Sequence, residues 1–138
     1  MMPDQIARTG ARPGCREASR DRLRFFSTGC CMKTDLSVFI IARDEADRIG
    51  RTIASVKGLS ADIVVVDSGS SDATVEVARA LGARVVHKDW AGYGPQKRFG
   101  ERQCAFDWVL NLDADEVVSP ALREEIARLL VAGSRADA

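Results

Sequence analysis

A single histidine, His87, stands in the 138 residues of the chain, and that scarcity leaves mechanisms built on a histidine base or a multi-histidine metal centre little to draw on. Its place at the end of the apolar run Arg84-Val85-Val86-His87 suits a structural role. Cysteine says as little. Cys15, Cys30, Cys31 and Cys104 form neither the Cys-x-x-Cys pairs of a zinc site nor a secreted disulfide framework, so they read as reduced thiols. Neither charge sign is in excess, with 20 Lys and Arg against 20 Asp and Glu. That balance argues against a general nucleic-acid binder or a polybasic membrane anchor. No apolar stretch approaches the roughly 20 residues that cross a bilayer, and none resembles the apolar middle of a secretion signal, so a cytoplasmic protein without a transmembrane segment is expected. No segment repeats. What is present, 46% hydrophobic and 29% charged residues, is the balance of one globular domain with a real core.

Residues 1–33 differ from the rest. They carry Arg8, Arg12, Arg16, Arg20, Arg22 and Arg24 among scattered Gly, Ser and Pro, without a sustained apolar period. Such a segment buries too little to offset ordering, and a disordered extension is expected, with the domain at 34–138. An arginine-rich leader can mimic a transit peptide, but Asp4, Glu17 and Asp21 weaken that reading. Met32 is then the expected native start.

From residue 36 strands and helices alternate. Leu36 to Ile41 is β-rich, and Asp44 can cap a helix to about Lys57 with Ile49, Ile53 and Val56 on one face. Ile63 to Val66 is a second strand ending at Asp67. Ser71 or Asp72 can cap a helix bearing Val75, Val77, Ala78 and Leu81, which Gly82 ends. Arg84 to His87 is a third strand. After Gly92, Gly94 and Pro95 come a weaker helix, Gln96 to Cys104, and the strand Trp108 to Leu112. Ser119 caps a last helix with Pro120 first and Leu122, Ile126, Leu129 and Leu130 apolar. This order predicts an α/β fold, a mostly parallel sheet with helices on both faces.

Asp113 and Asp115 follow the last apolar strand directly, and ligands of open α/β sheets bind beyond the strands' carboxyl ends. Two carboxylates so close repel unless something positive joins them. Magnesium or manganese with a diphosphate would fit, since these ions take oxygen ligands and keep substrate phosphates in their shell. Alone, the pair reads more readily as a solvated acidic turn before a helix. Its context adds Asp67-Ser68-Gly69-Ser70-Ser71-Asp72 after the second strand and Ala42-Arg43-Asp44-Glu45 after the first, three acidic turns that parallel strands would bring to one rim. Individually, Asp44 and Asp72 could be helix caps and Gly69 a turn residue.

Residues 36–126 resemble the nucleotide-binding half of a family 2 glycosyltransferase, with its Rossmann-like GT-A fold. The resemblance rests on Ser37-Val38-Phe39-Ile40-Ile41-Ala42-Arg43-Asp44-Glu45, on Ile63 to Thr74 and on Leu112-Asp113-Ala114-Asp115-Glu116. It implies a nucleotide-diphosphate sugar as donor, a UDP-sugar being favoured, and a divalent cation, Mg2+ or Mn2+. It also implies that Asp67 recognises the base, that Ala42, Arg43 and Glu45 line the base and ribose pocket beside Gly69, that Asp113 contacts ribose or metal, and that Asp115 holds the metal. The segment Trp90 to Lys97 is similar to the subgroup that builds lipopolysaccharide core oligosaccharides, which implies a glycan or lipid-linked acceptor and a place at the inner membrane surface. Lys97 reads either as a point charge for the donor phosphates or as a solvated helix residue. Trp90 and Trp108 read as packing residues, and Cys104 as a small core residue.

Inverting transfer needs a general base, and in the resembled family it comes from a later part of the chain. Glu116, Glu124 and Glu125 are poor substitutes, so a truncated domain with the donor site and a base beyond residue 138 is expected. The alternatives are a haloacid dehalogenase-type phosphatase, which also uses Asp-x-Asp but opens its fold with it, and a nucleotidyltransferase, for which no glycine-rich basic signature follows the first strand. A non-catalytic nucleotide-binding or interaction fragment is the third.

Overall fold

The computed structural model describes residues 6–8 and 34–136. Cys15, Cys30, Cys31 and Met32 lie outside them. Five strands, β1 (Ile6–Arg8), β2 (Thr34–Ala42), β3 (Ser60–Asp67), β4 (Arg84–His87) and β5 (Trp108–Asp113), form one sheet in the order β1-β5-β2-β3-β4. The pairs β5-β2, β2-β3 and β3-β4 are parallel, as the alternating pattern predicts, and only β1 runs antiparallel, against β5. The helices are α1 (Ile49–Val56), α2 (Thr74–Ala80), α3 (Tyr93–Gln103) and α4 (Pro120–Ala136).

Alternation along the central strands sorts side chains onto two faces. Leu36, Val38, Ile40, Ile63, Val65, Leu110 and Leu112 face one way and pack with Ile49, Ile53 and Val56 of α1, Ala78 of α2 and Ile126 and Leu130 of α4. Phe39, Val64 and Val109 face the other way, under α3 with Cys104. Burying a Leu, Ile or Phe this fully contributes about 1.5–3 kcal/mol over exposure. On the α3 face the fit is close: a Cβ on Gly100 would lie 2.5 Å from the Phe39 ring, so only glycine lets the helix sit there.

Local signals set several boundaries. Ser119 Oγ accepts from Leu122 N–H at 3.2 Å, capping α4 ahead of Pro120. Gly82, at φ 90°, closes α2 with bonds from its own N–H to Arg79 and from Ala83 N–H to Ala78.

Other expectations change. Helix α1 begins at Ile49, not near Asp44, because Asp44 adopts a left-handed φ of 53° and gives its carboxylate to the next loop. Helix α3 begins three residues before Gln96, since Pro95 is tolerated inside a first turn. Leu129 is exposed, at the flank of the stripe of α4 that buries Ile126 and Leu130. Trp90 is not a packing residue: it is 47% exposed and meets Tyr93 edge-on at 4.9 Å. Trp108 packs partly against the larger core cluster. Within the segment expected to lack structure, Ile6, Ala7 and Arg8 pair with Leu110, Val109 and Trp108. Backbone pairing along the open edge of β5, Ile6 against the core and the Arg8 guanidinium 5.9 Å over the Trp108 ring supply what composition did not reveal.

The amino ends of the strands are tied by one carboxylate. Asp62 accepts from Arg84 Nε at 2.9 Å and Nη2 at 3.1 Å, from Ser37 Oγ at 2.8 Å and from Ala105 N–H at 2.9 Å. Arg84 Nη2 also donates to the Gln103 carbonyl at 2.7 Å. Burial alone would push the Asp62 carboxyl up, but Arg84, the Ala105 amide and the Ser37 hydroxyl outweigh it and hold the group below the ordinary carboxylate range.

Candidate functional site

Strand register brings the three acidic turns to one rim. Ala42 is level with Asp67, Asp67 with His87, and Ile41 with Asp113, so the ends of β5, β2, β3 and β4 form a single edge. The same register sets the aspartates on opposite sides of it. Asp67 shares a level with Ala42, which belongs to the α1 face, whereas Asp113 shares one with Ile41, which packs on the α3 face. Two strand spacings, about 10 Å, separate β3 from β5. A ligand lying over the end of β2 would meet both.

The loop after β2 is stitched to the loop after β3. Asp44 Oδ1 accepts from Ser71 N–H at 2.7 Å, and Ser70 Oγ accepts from Asp44 N–H at 2.9 Å. Glu45 N–H donates to Thr74 Oγ1 at 2.9 Å, and Ala46 N–H to Asp72 Oδ2 at 3.1 Å. Ala42, buried in the core, contributes backbone alone to this edge, and its carbonyl accepts from Ser68 N–H at 3.0 Å. Arg43 is exposed on the loop, and the Glu45 carboxylate lies 3.9 Å from Arg48.

Asp67 is 5% exposed and folds onto its own turn. Oδ2 accepts from Gly69 and Ser70 N–H at 3.1 Å each, and Oδ1 accepts from the Ser70 hydroxyl. A carboxylate offers about four acceptor sites, so one remains on Oδ1. Gly69 sits at φ 100°, a conformation that side-chain-bearing residues rarely adopt. His87, expected to be only structural, stands on the rim with Nδ1 4.0 Å from Asp67 Oδ2 and Nε2 2.9 Å from Asp89.

Asp113 and Asp115 are both exposed on a tight turn. Asp113 N–H donates to Glu116 Oε2 at 2.9 Å, and Glu116 N–H to the Asp113 carbonyl at 3.0 Å. Partial desolvation, then repulsion from Glu116 and Asp115, hold the Asp113 carboxyl above the ordinary range, against a downward pull from Lys97. That pull locates Lys97, at the start of α3, within electrostatic reach of Asp113. Gln96 beside it is fully buried and donates to Ser68 Oγ at 3.2 Å and to the Lys88 carbonyl at 3.1 Å, anchoring the helix start to the rim. A cleft of about 300 Å³ opens next to Asp115, lined by Arg48, Arg51 and Val117.

Among the described residues no three His, Cys, Asp or Glu side chains gather into a closed metal cage. The donor set suits a hard divalent ion held by one or two carboxylates and completed by water and substrate phosphate, and positive charge there would relieve the repulsion felt by Asp113. Sequence reasoning missed the residues behind this turn. Thr52 Oγ1 donates to the Ala114 carbonyl at 2.7 Å, and Ser55 Oγ accepts from Val118 N–H at 3.1 Å. Nothing local to Thr52 signals a partner 62 residues away.

A parallel sheet with an Asp-Ser-Gly turn and an Asp-Ala-Asp turn on its carboxyl rim has the architecture of the nucleotide-binding part of a GT-A fold. The chain belongs to glycosyl transferase family 2, which it matches over residues 37–137. The phosphatase alternative falls with that membership. The chain is 40% identical over 105 residues to the lipopolysaccharide core biosynthesis glycosyltransferase LpsC of Rhizobium meliloti, covering 72% of this chain and 38% of the relative. It is 50% identical over 91 residues to an uncharacterised glycosyltransferase of Rickettsia prowazekii, covering 66% and 31%. It is also similar to the crystal structure of glucosyl-3-phosphoglycerate synthase from Mycobacterium tuberculosis in complex with Mg2+ and uridine diphosphate, with TM-score 0.55, 29% identity and coverage of 61% of this chain and 34% of that one. The mannosyl-3-phosphoglycerate synthase of Rubrobacter xylanophilus gives TM-score 0.54 at 29% identity, covering 59% and 31%. The chain thus spans about a third of the length of these relatives.

Proposed function

We propose that these residues are the donor-binding part of a metal-dependent, inverting glycosyltransferase that takes a sugar from a nucleotide diphosphate, UDP being favoured. The observation that carries this reading is the shared rim of Asp67, Asp113 and Asp115 on parallel strands of one sheet. Asp67, with one acceptor site left, would take a nucleobase N–H. Ala42, Arg43, Glu45 and Gly69 would border base and ribose, and Asp113 would meet ribose or metal. Lys97 would face the phosphates. A divalent cation held at Asp115, with Asp113, would stabilise the charge that grows on the departing nucleoside diphosphate. The relative described as a lipopolysaccharide core enzyme supports a glycan or lipid-linked acceptor and work at a membrane surface. No helix among the described residues is long and apolar enough to cross a membrane. Direct displacement needs a base to take the acceptor hydroxyl proton, and we assign it to polypeptide outside these residues.

The test is a calorimetric titration of the chain with UDP, with and without Mn2+. Binding should depend on metal, and Asp115→Asn should abolish that dependence. Unchanged affinity in the variant would overturn the reading in favour of a nucleotide-binding fragment without metal chemistry.

A further inference from the structure

We propose that Thr52 and Ser55 on α1 are positioning residues that set the geometry of the Asp113 and Asp115 turn, an inference resting on the metal-dependent donor reading above. The Ala114 carbonyl lies between the two aspartates, and Thr52 Oγ1 donates to it at 2.7 Å from a fully buried site. One helical turn on, Ser55 Oγ donates to the Thr52 carbonyl at 2.7 Å and accepts from Val118 N–H at 3.1 Å. The segment carrying both carboxylates is therefore held at its middle and at its far end by two hydroxyls of one helix. That helix is itself fixed by Ile49, Ile53 and Val56, all 0% exposed.

Two physical points favour a positioning role over simple packing. Threonine is a poor helix former, and within a helix its hydroxyl commonly bonds back to its own helix; here it reaches another element instead. A buried hydroxyl is costly unless bonded, and the Thr52 hydroxyl meets that cost through its bond to the turn. Fixing the turn through its backbone also spares the carboxylates. Among the described residues no hydrogen bond engages the side chain of Asp113 or Asp115, which leaves both available to a cation and a ligand.

Thr52→Val removes the hydroxyl at nearly constant volume, and Thr52→Ser keeps it. In the 138-residue chain, calorimetry with UDP should show Mn2+-dependent affinity reduced about 10- to 100-fold in Thr52→Val, the range for partners that orient metal ligands. Metal-free UDP affinity should be unchanged, and Thr52→Ser should restore the metal dependence. Ser55→Ala should show the same selective loss, smaller in size, and serves if Thr52→Val does not fold. Wild-type metal dependence in a folded Thr52→Val or Ser55→Ala chain would overturn the positioning role, as would equal losses with and without metal. A wild-type chain that binds UDP indifferently to Mn2+ would instead fail the donor reading, and the positioning role with it.

Discussion

The two rims of the sheet treat the same side chain in opposite ways. At the amino rim, Asp62 is enclosed by an arginine, a hydroxyl and a backbone amide, and its carboxyl is held low. At the carboxyl rim, Asp113 is exposed beside Glu116 and Asp115, and its carboxyl is held high. One rim has neutralised its charge to join strands. The other gathers Asp113, Asp115 and Glu116 on one turn, with Lys97 drawing on Asp113 and Arg48 and Arg51 lining the cleft beside Asp115. Natural folds often leave such conflicts where a ligand resolves them, so the contrast supports the donor site proposed at the carboxyl rim.

The sharpest way to break this contrast is at Asp115. Asp115→Asn should reduce metal-dependent UDP affinity by at least about 100-fold, the upper end of the effect of partners that orient metal ligands. Stability should move by no more than about 0.5 kcal/mol, because the side chain is exposed. Calorimetry and thermal unfolding of the same samples check both.

Acidity should separate the rims next. The folded pKa of Asp62 is depressed, so its stabilisation is complete above the unfolded value near ~3.9 and disappears as pH falls through the lower folded value. The Asp113 carboxyl is raised, and a cation requires it ionised, so metal-dependent binding should weaken while pH is still above the ordinary carboxylate range. An acidic window should exist in which the chain is folded by circular dichroism while its dependence on Mn2+ is weakened. Joint loss of fold and metal dependence would collapse the distinction.

Smaller effects test the closed end and the close-packed face. Asp62→Ala should destabilise by about 1–3 kcal/mol, since it leaves the Ser37 hydroxyl proton without its acceptor and removes the carboxylate that Arg84 bridges to. UDP affinity of the folded fraction should stay unchanged. Gly100→Ala should cost about 1–3 kcal/mol in denaturant unfolding by driving a methyl into Phe39. Each would lose its place in the comparison if it weakened metal binding without weakening the fold.

Strand and helix order, the Ser119 cap and the Gly82 stop were legible because each depends on neighbours within a few residues. Candidate aspartates were legible for a related reason: a strand that ends in a carboxylate delivers it to the rim of whatever parallel sheet it joins. Asp44 misled because Ser71 competes for the carboxylate that would otherwise cap α1. Leu129 and Trp90 misled because hydrophobicity cannot say which side of an element will be covered. The partners of Asp62 and Thr52 were invisible, lying up to 43 and 62 residues away.

From local chemistry alone came the alternating strands and helices, the parallel architecture and the acidic residues at three strand ends, since apolar period, caps and turn residues act over short range. Tertiary structure alone decided that Asp67 and Asp113 leave the rim on opposite faces, that Lys97 comes within reach of Asp113, and that α1 holds the Asp115 turn. The reason is register: a shift of one residue turns a side chain to the other face, and register is set only when distant strands pair.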